Sequence, residues 1–205
     1  VVINLNVSIG VASYPLSGTT AKELLKHADS AMYRAKKNKK SEYQHYTLAL
    51  QKTHRRRAMI KEALASALEN NEFYLCYQPI LAIKTQEVVA IEVLLQWQNQ
   101  AFSRIKPSEF MPIAQEIGLM ISLGEWVIQT AVLQYAKWRS QFGGAFTINV
   151  TIDTQQMATN DAIKRLKRAL KNGKADLTGV VFELSEATLA PDVDILFSHA
   201  KALHK

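Results

Sequence analysis

The sequence predicts an α/β protein in two parts, a small α/β piece followed by the strands and helices of a partial (β/α) barrel. Three observations carry this. From residue 72 onward, apolar runs of strand length alternate with longer stretches in which apolar residues recur at helical spacing. Between residues 34 and 61 ten basic residues stand against one acid, Glu42, and separate two differently patterned regions. Glu92, Asn149 and Glu183 each lie at or near the end of a separate apolar segment, Val88 to Leu95, Phe146 to Val150 and Val180 to Leu184.

In chain order, residues 1–14 read as a strand, and Thr19-Thr20 precede a helix over 21–37 with Leu24, Leu25, Ala28, Ala31, Met32 and Ala35 at helical spacing. A polar break at 38–42 leads to a last short strand at 43–46. Residues 48–70 then read as one long helix, in which Ala58, Met59, Ala63, Leu64, Ala67 and Leu68 form the apolar set and Ala58, Met59 and Leu64 turn inward. Strands are expected over 73–83, 87–97, 145–151 and 179–185, and helices over 107–117, 122–141, 160–172 and 192–204. The connection between the first two of these strands has hairpin length, so that pair is antiparallel. The later alternation gives parallel units. The domain expectation is therefore 1–47, a basic helical linker over 48–70, and the partial barrel over 71–205.

Composition narrows the class only a little. The 205 residues are 48% hydrophobic and 21% charged with a net charge of +7, ordinary for a globular chain. No run approaches the roughly 18 apolar residues of a membrane span. The lone Cys76, between Leu75 and Tyr77, reads as a buried small hydrophobe in a reducing, cytoplasmic setting. The basic stretch could attract phosphate, but reads more readily as a solvated helical linker. Aromatics are not interleaved with it and no helix-turn-helix or zinc spacing appears, so no specific nucleic-acid partner is expected.

A carboxylate or amide inside an apolar run is costly to bury without a partner. Its repetition at three strand-like positions points to a shared polar site, and oxygen ligands of this kind suit Mg²⁺ or Mn²⁺. Taken singly, Glu92, Asn149 and Glu183 are equally readable as separately hydrogen-bonded groups. The spacing alone leaves both readings open.

The surrounding words resemble a known family. Glu72-Phe-Tyr-Leu-Cys-Tyr-Gln-Pro-Ile80, Ile91-Glu-Val-Leu-Leu-Gln-Trp97, Pro107-Ser-Glu-Phe-Met-Pro-Ile-Ala-Gln-Glu-Ile-Gly118, Ile148-Asn-Val-Thr151 and Phe182-Glu-Leu-Ser-Glu186 are similar, in order, to the front half of an EAL domain. That family hydrolyses cyclic di-GMP. Val7-Ser-Ile-Gly-Val-Ala-Ser13 and the stretch from Glu23 to Lys37 resemble the closing strand and helix of a GGDEF (diguanylate cyclase) domain, without its Gly-Gly-Asp-Glu-Phe signature. The fold implied is α/β: a partial EAL-type (β/α) barrel preceded by a small remnant of a GGDEF domain.

The resemblance implies that Glu92, Asn149 and Glu183 ligate divalent metal, Mg²⁺ or Mn²⁺, and that Gln78 contacts the dinucleotide. It implies a cyclic di-GMP or nucleotide ligand, with a homodimer among the expected assemblies. The family's paired aspartates and later lysine do not occur among these 205 residues, so this stretch by itself is expected to show no hydrolysis. Gln96 stands where the family word has Arg, a lost phosphate contact of about 1.5 to 3 kcal/mol. Two functions follow, a phosphodiesterase or a non-catalytic receptor or interaction module. Glu186 is a further candidate beside the site, with a helix amino-terminal role as its alternative.

Overall fold

The computed structural model describes residues 7–37, 43–102, 105–143, 145–153, 160–172, 177–184 and 198–201. The chain divides into two compact units, Val1–Ile60 and Lys61–Lys205.

In the first unit, β1 (Ile9–Val11) and β2 (Tyr43–His45) pair in parallel, with α1 (Ala21–Lys37) between them in sequence. Of the strand expected over 1–14, residues 1–6 lie outside the described residues, and within 7–14 the strand is the three-residue β1. Thr20 and Glu23 start α1 as a reciprocal cap. Thr20 Oγ1 accepts the Glu23 N–H at 3.3 Å, and Glu23 Oε2 accepts the N–H groups of Thr19 and Thr20 at 2.9 and 3.2 Å. Those backbone bonds hold the Glu23 carboxyl below its usual range. At Gly10 the strand runs so close to α1 that a Cβ would lie 1.9 Å from the Ala28 carbonyl oxygen.

Helix α2 (Leu48–Ala67) is close to the length read from sequence, but its inward face differs. Ile60, Leu64 and Ala67 are buried, whereas Ala58 is exposed and Met59 is 45% exposed. Spacing explains the correction: 60, 64 and 67 make one helical stripe, and residues 58 and 59 fall off its edge. Arg55 and Arg56 are exposed and Arg57 is half-buried.

The second unit is a four-stranded sheet in the order β3 (Phe73–Leu81), β4 (Val88–Trp97), β5 (Thr147–Ile152), β6 (Val180–Leu184). As expected, β3 and β4 form an antiparallel hairpin and the remaining neighbours are parallel. Helices α3 (Pro107–Glu116), α4 (Met120–Phe142) and α5 (Asn160–Asn172) make the connections. Helix α4 begins two residues before the 122 read from sequence, directly after Gly118, whose φ of 73° closes α3. Of the helix expected over 192–204, the described residues 198–201 are helical. Ile195, Leu196 and Glu186 lie outside the described residues.

Strand parity sorts the side chains. Leu75, Tyr77, Val93, Leu95, Ile148, Val150, Ile152, Val180 and Phe182 point to one face, where they pack on Val127, Ile128, Ala131, Val132 and Tyr135 of α4 and on Ala169 and Leu170 of α5. This is the core. Arg165 of α5 fastens the layer, donating from Nε to Glu125 Oε1 at 2.6 Å and from Nη2 to Oε2 at 2.7 Å. The Arg165 hydrogen bonds hold the Glu125 carboxyl below its usual range, against the opposing effect of burial. The open end of the hairpin is closed by Glu72, whose Oε2 accepts from Trp97 Nε1 at 2.9 Å and Asn99 Nδ2 at 2.8 Å. Phe73, Trp97 and Phe110 cluster beside it with ring centroids 5.6 to 6.0 Å apart.

Candidate functional site

The opposite face of the sheet carries the polar groups. On it β3 places Tyr74, Cys76, Gln78 and Ile80, β4 places Glu92, Leu94 and Gln96, β5 places Thr147, Asn149 and Thr151, and β6 places Val181 and Glu183. Cys76 is therefore exposed and not buried as its apolar neighbours imply. In a strand the neighbours at i−1 and i+1 face the other way, so Leu75 and Tyr77 enter the core and leave Cys76 outside it.

Register brings three of the four sequence-derived residues into one row. Gln78 stands opposite Glu92 across the antiparallel pair, and Glu92 stands beside Asn149 across the parallel pair. At about 4.8 Å per strand the row spans about 10 Å. Glu183 lies on β6 two residues beyond Val181, the register partner of Asn149, and its side chain meets the row. Asn149 Nδ2 donates to Glu183 Oε1 at 2.7 Å, and Thr147 Oγ1 donates to Asn149 Oδ1 at 3.0 Å. Glu92, Asn149 and Glu183 are half-buried, and Gln78 is exposed.

The position along the strands needs a correction. Glu92 is the fifth of ten residues in β4 and Asn149 the third of six in β5, so both are mid-strand; only Glu183, fourth of five, approaches an end. The strand itself runs to Trp97 as expected, with β3 paired along it, so the correction concerns the place of Glu92 within the strand and not the strand's end.

Two carboxylates and an amide carbonyl are hard oxygen donors, the chemistry that Mg²⁺ and Mn²⁺ prefer, and they would supply three of about six ligands with water completing the shell. Among the described residues no group of three His, Cys, Asp or Glu gathers at one point, so the amide of Asn149 is needed to complete a set of three. The donor types thus fit. In the observed geometry, however, Asn149 turns its NH₂ and not its oxygen toward Glu183.

Thr147 was not legible as part of this group until the register was known, although its place two residues before Asn149 puts it on the same face. An apolar cavity of about 340 Å³ lies near the carboxyl ends of β4 and β5, against Met111, Met120, Leu123 and Val127. It stands largely on the helix side of the sheet, away from the Gln78, Glu92 and Asn149 row.

A hairpin followed by parallel strand and helix units, with polar side chains on the sheet face away from the helices, is the pattern of a partial (β/α) barrel. Residues 61–205 match the EAL domain, and the chain belongs to that family. Residues 2–42 match the diguanylate cyclase GGDEF domain. The bifunctional diguanylate cyclase/cyclic di-GMP phosphodiesterase MucR of Pseudomonas aeruginosa is 29% identical over 192 residues, 94% of this chain and 28% of that protein. The cyclic di-GMP phosphodiesterase PdeR of Escherichia coli is 31% identical over 191 residues, 93% of this chain and 29% of that protein. The solved MucR phosphodiesterase in complex with cyclic di-GMP superposes with a TM-score of 0.66 at 26% identity, over 71% of this chain and 59% of that one. The chain thus spans less than a third of the length of these two relatives.

Proposed function

We propose that the chain is part of a cyclic di-GMP signalling protein of the GGDEF-EAL type, a phosphodiesterase whose divalent cation is held on the inner face of the sheet. The observation that carries the reading is the row of Gln78, Glu92 and Asn149 with Glu183 bonded to its end. In this reading Glu92, Asn149 and Glu183 hold Mg²⁺ or Mn²⁺, and Gln78 contacts the dinucleotide at the exposed edge of the row. A bound cation supplies an activated water and charge neutralisation at the phosphate. The sheet orients the ligands, and the packed helices keep water from the opposite face. Residues 1–47 form the GGDEF-derived part, 48–70 the basic linker and 71–205 the EAL part, in a cytoplasmic protein that pairs as a homodimer. No helix among the described residues is long and apolar enough to cross a membrane.

Gln96 supports a second reading, that of a receptor which binds without hydrolysis. It lies on the same face as Glu92, half-buried and opposite Tyr74. An amide there offers no charge to a phosphate. One assay separates the two: the protein at its natural length is incubated with cyclic di-GMP and Mg²⁺ or Mn²⁺. Linear product that disappears in Glu92→Ala supports the enzyme; retained cyclic di-GMP with no product supports the receptor; neither binding nor turnover rules out both.

A further inference from the structure

Resting on the cation-site reading above, we propose that Thr147 is a positioning residue whose single hydroxyl holds the Asn149 amide in two settings, one closed on Glu183 and one open to a divalent cation. The closed setting follows from donor and acceptor chemistry. A carboxylate oxygen only accepts, so the Asn149 atom 2.7 Å from Glu183 Oε1 must be the NH₂. The other end of the amide is then the oxygen, 3.0 Å from Thr147 Oγ1. An amide oxygen also only accepts, so in this setting the hydroxyl donates.

A cation shared between Asn149 and Glu183 needs the amide oxygen on the Glu183 side. Half a turn about the Cβ–Cγ bond of Asn149, a soft torsion, puts it there. The NH₂ then faces Thr147. A hydroxyl accepts as readily as it donates, so the same Oγ1 satisfies the turned amide by reversing its role. No other side chain type of this shape does both, since valine offers neither function.

The closed setting keeps two half-buried polar groups satisfied while no cation is present. The hydroxyl then orients the oxygen toward the incoming ion. Removing such an outer partner typically costs about 10- to 100-fold in metal affinity. A purely structural threonine would affect stability and leave cation affinity alone.

The test uses the full chain, with Thr147→Val keeping the β-branched shape and Thr147→Ser keeping the hydroxyl. Mn²⁺ affinity is read from the electron paramagnetic resonance of the free ion. The expected result is about a tenfold or greater loss in Thr147→Val, with Thr147→Ser within about threefold of the parent. Equal affinity in the parent and Thr147→Val, or a serine variant as weak as the valine variant, overturns the proposal. A second readout needs no metal: the Asn149 side-chain NH₂ signal in ¹⁵N spectra, identified by its loss in Asn149→Ala, should move in both Glu183→Gln and Thr147→Val. An unmoved signal overturns the closed setting. If the parent takes up no Mn²⁺, the cation-site reading and the open setting fall together, while the NH₂ signal still decides the closed one.

Discussion

Replacing Gly179 should damage the site-bearing unit. This glycine ends the single turn of 3₁₀-helix over Leu177–Gly179 that feeds β6, and a Cβ built on it would lie 1.8 Å from Tyr135 Oη and 2.7 Å from Cζ. Tyr135 cannot yield easily: it is 1% exposed in the centre of the core, and its hydroxyl donates to the Phe146 carbonyl at 3.0 Å. Gly179→Ala must therefore shift the ring or the start of β6. Overpacking costs about 1 to 3 kcal/mol, and a broken buried hydrogen bond adds about 1 kcal/mol, so a loss of about 2 to 4 kcal/mol is expected. Equilibrium denaturation followed by tryptophan fluorescence reads this unit alone, because Trp97, Trp126 and Trp138 all lie within Lys61–Lys205. Tyr135→Phe removes the atom that the new methyl meets first. The double variant should therefore be more stable than the sum of the single changes by about 1 kcal/mol or more. A Gly179→Ala midpoint within about 0.5 kcal/mol of the parent, the range of a neutral substitution, would refute the steric argument, as would strict additivity.

In the first unit, Gly10→Ala should cost about 3 kcal/mol, since its Cβ would lie 1.9 Å from the Ala28 carbonyl oxygen and 2.3 Å from the Met32 nitrogen, both backbone atoms of α1; amide exchange across 9–37 should accelerate while the tryptophan transition stays in place. Arg165→Met should destabilise by about 1 to 3 kcal/mol at neutral pH through loss of the paired bonds to Glu125. Because Arg165 holds the folded Glu125 carboxyl below its usual range, this contribution is full above that range and is lost as pH falls through the lowered value. The gap between parent and variant, measured by denaturation at several pH values, should narrow in acid; a gap that stays constant or widens would contradict the sign. Gln96→Arg should tighten cyclic di-GMP binding about tenfold or more, by adding a charge-assisted contact worth about 1.5 to 3 kcal/mol; calorimetric affinities unchanged by the substitution would remove Gln96 from the ligand surface.

Much of the second unit was readable before any coordinates. The apolar runs around Leu75, Val93 and Val150 placed the strands, and the short hairpin connection gave the antiparallel pair. Glu92, Asn149 and Glu183 were visible because polar side chains interrupt apolar runs. Other features were hidden for physical reasons. Cys76 was misplaced because a continuous apolar stretch conceals the alternation that the open inner face later makes plain. Glu92 is mid-strand within the expected 87–97 just as within β4, so the strand was legible and only the placing of Glu92 near its end was not. Met59 was turned inward because several helical stripes through 58–68 look equally apolar, and only tertiary packing selects the one through Ile60 and Leu64. Thr147 is an ordinary strand residue until pairing sets Asn149 beside Glu183.

The most direct test of the account is a Mn²⁺ titration of the full chain by isothermal calorimetry, carried out on the parent and on Glu92→Gln. Glu92 makes the decisive variant because it stands in register between Gln78 and Asn149, and a neutral amide at that position keeps the size of the side chain while removing its charge. The account predicts saturable Mn²⁺ uptake by the parent, at least about tenfold weaker in Glu92→Gln, and cyclic di-GMP binding that weakens in parallel when the cation is removed. Equal Mn²⁺ affinity in the two proteins, or no uptake by either, would contradict the assignment of the row as a cation site.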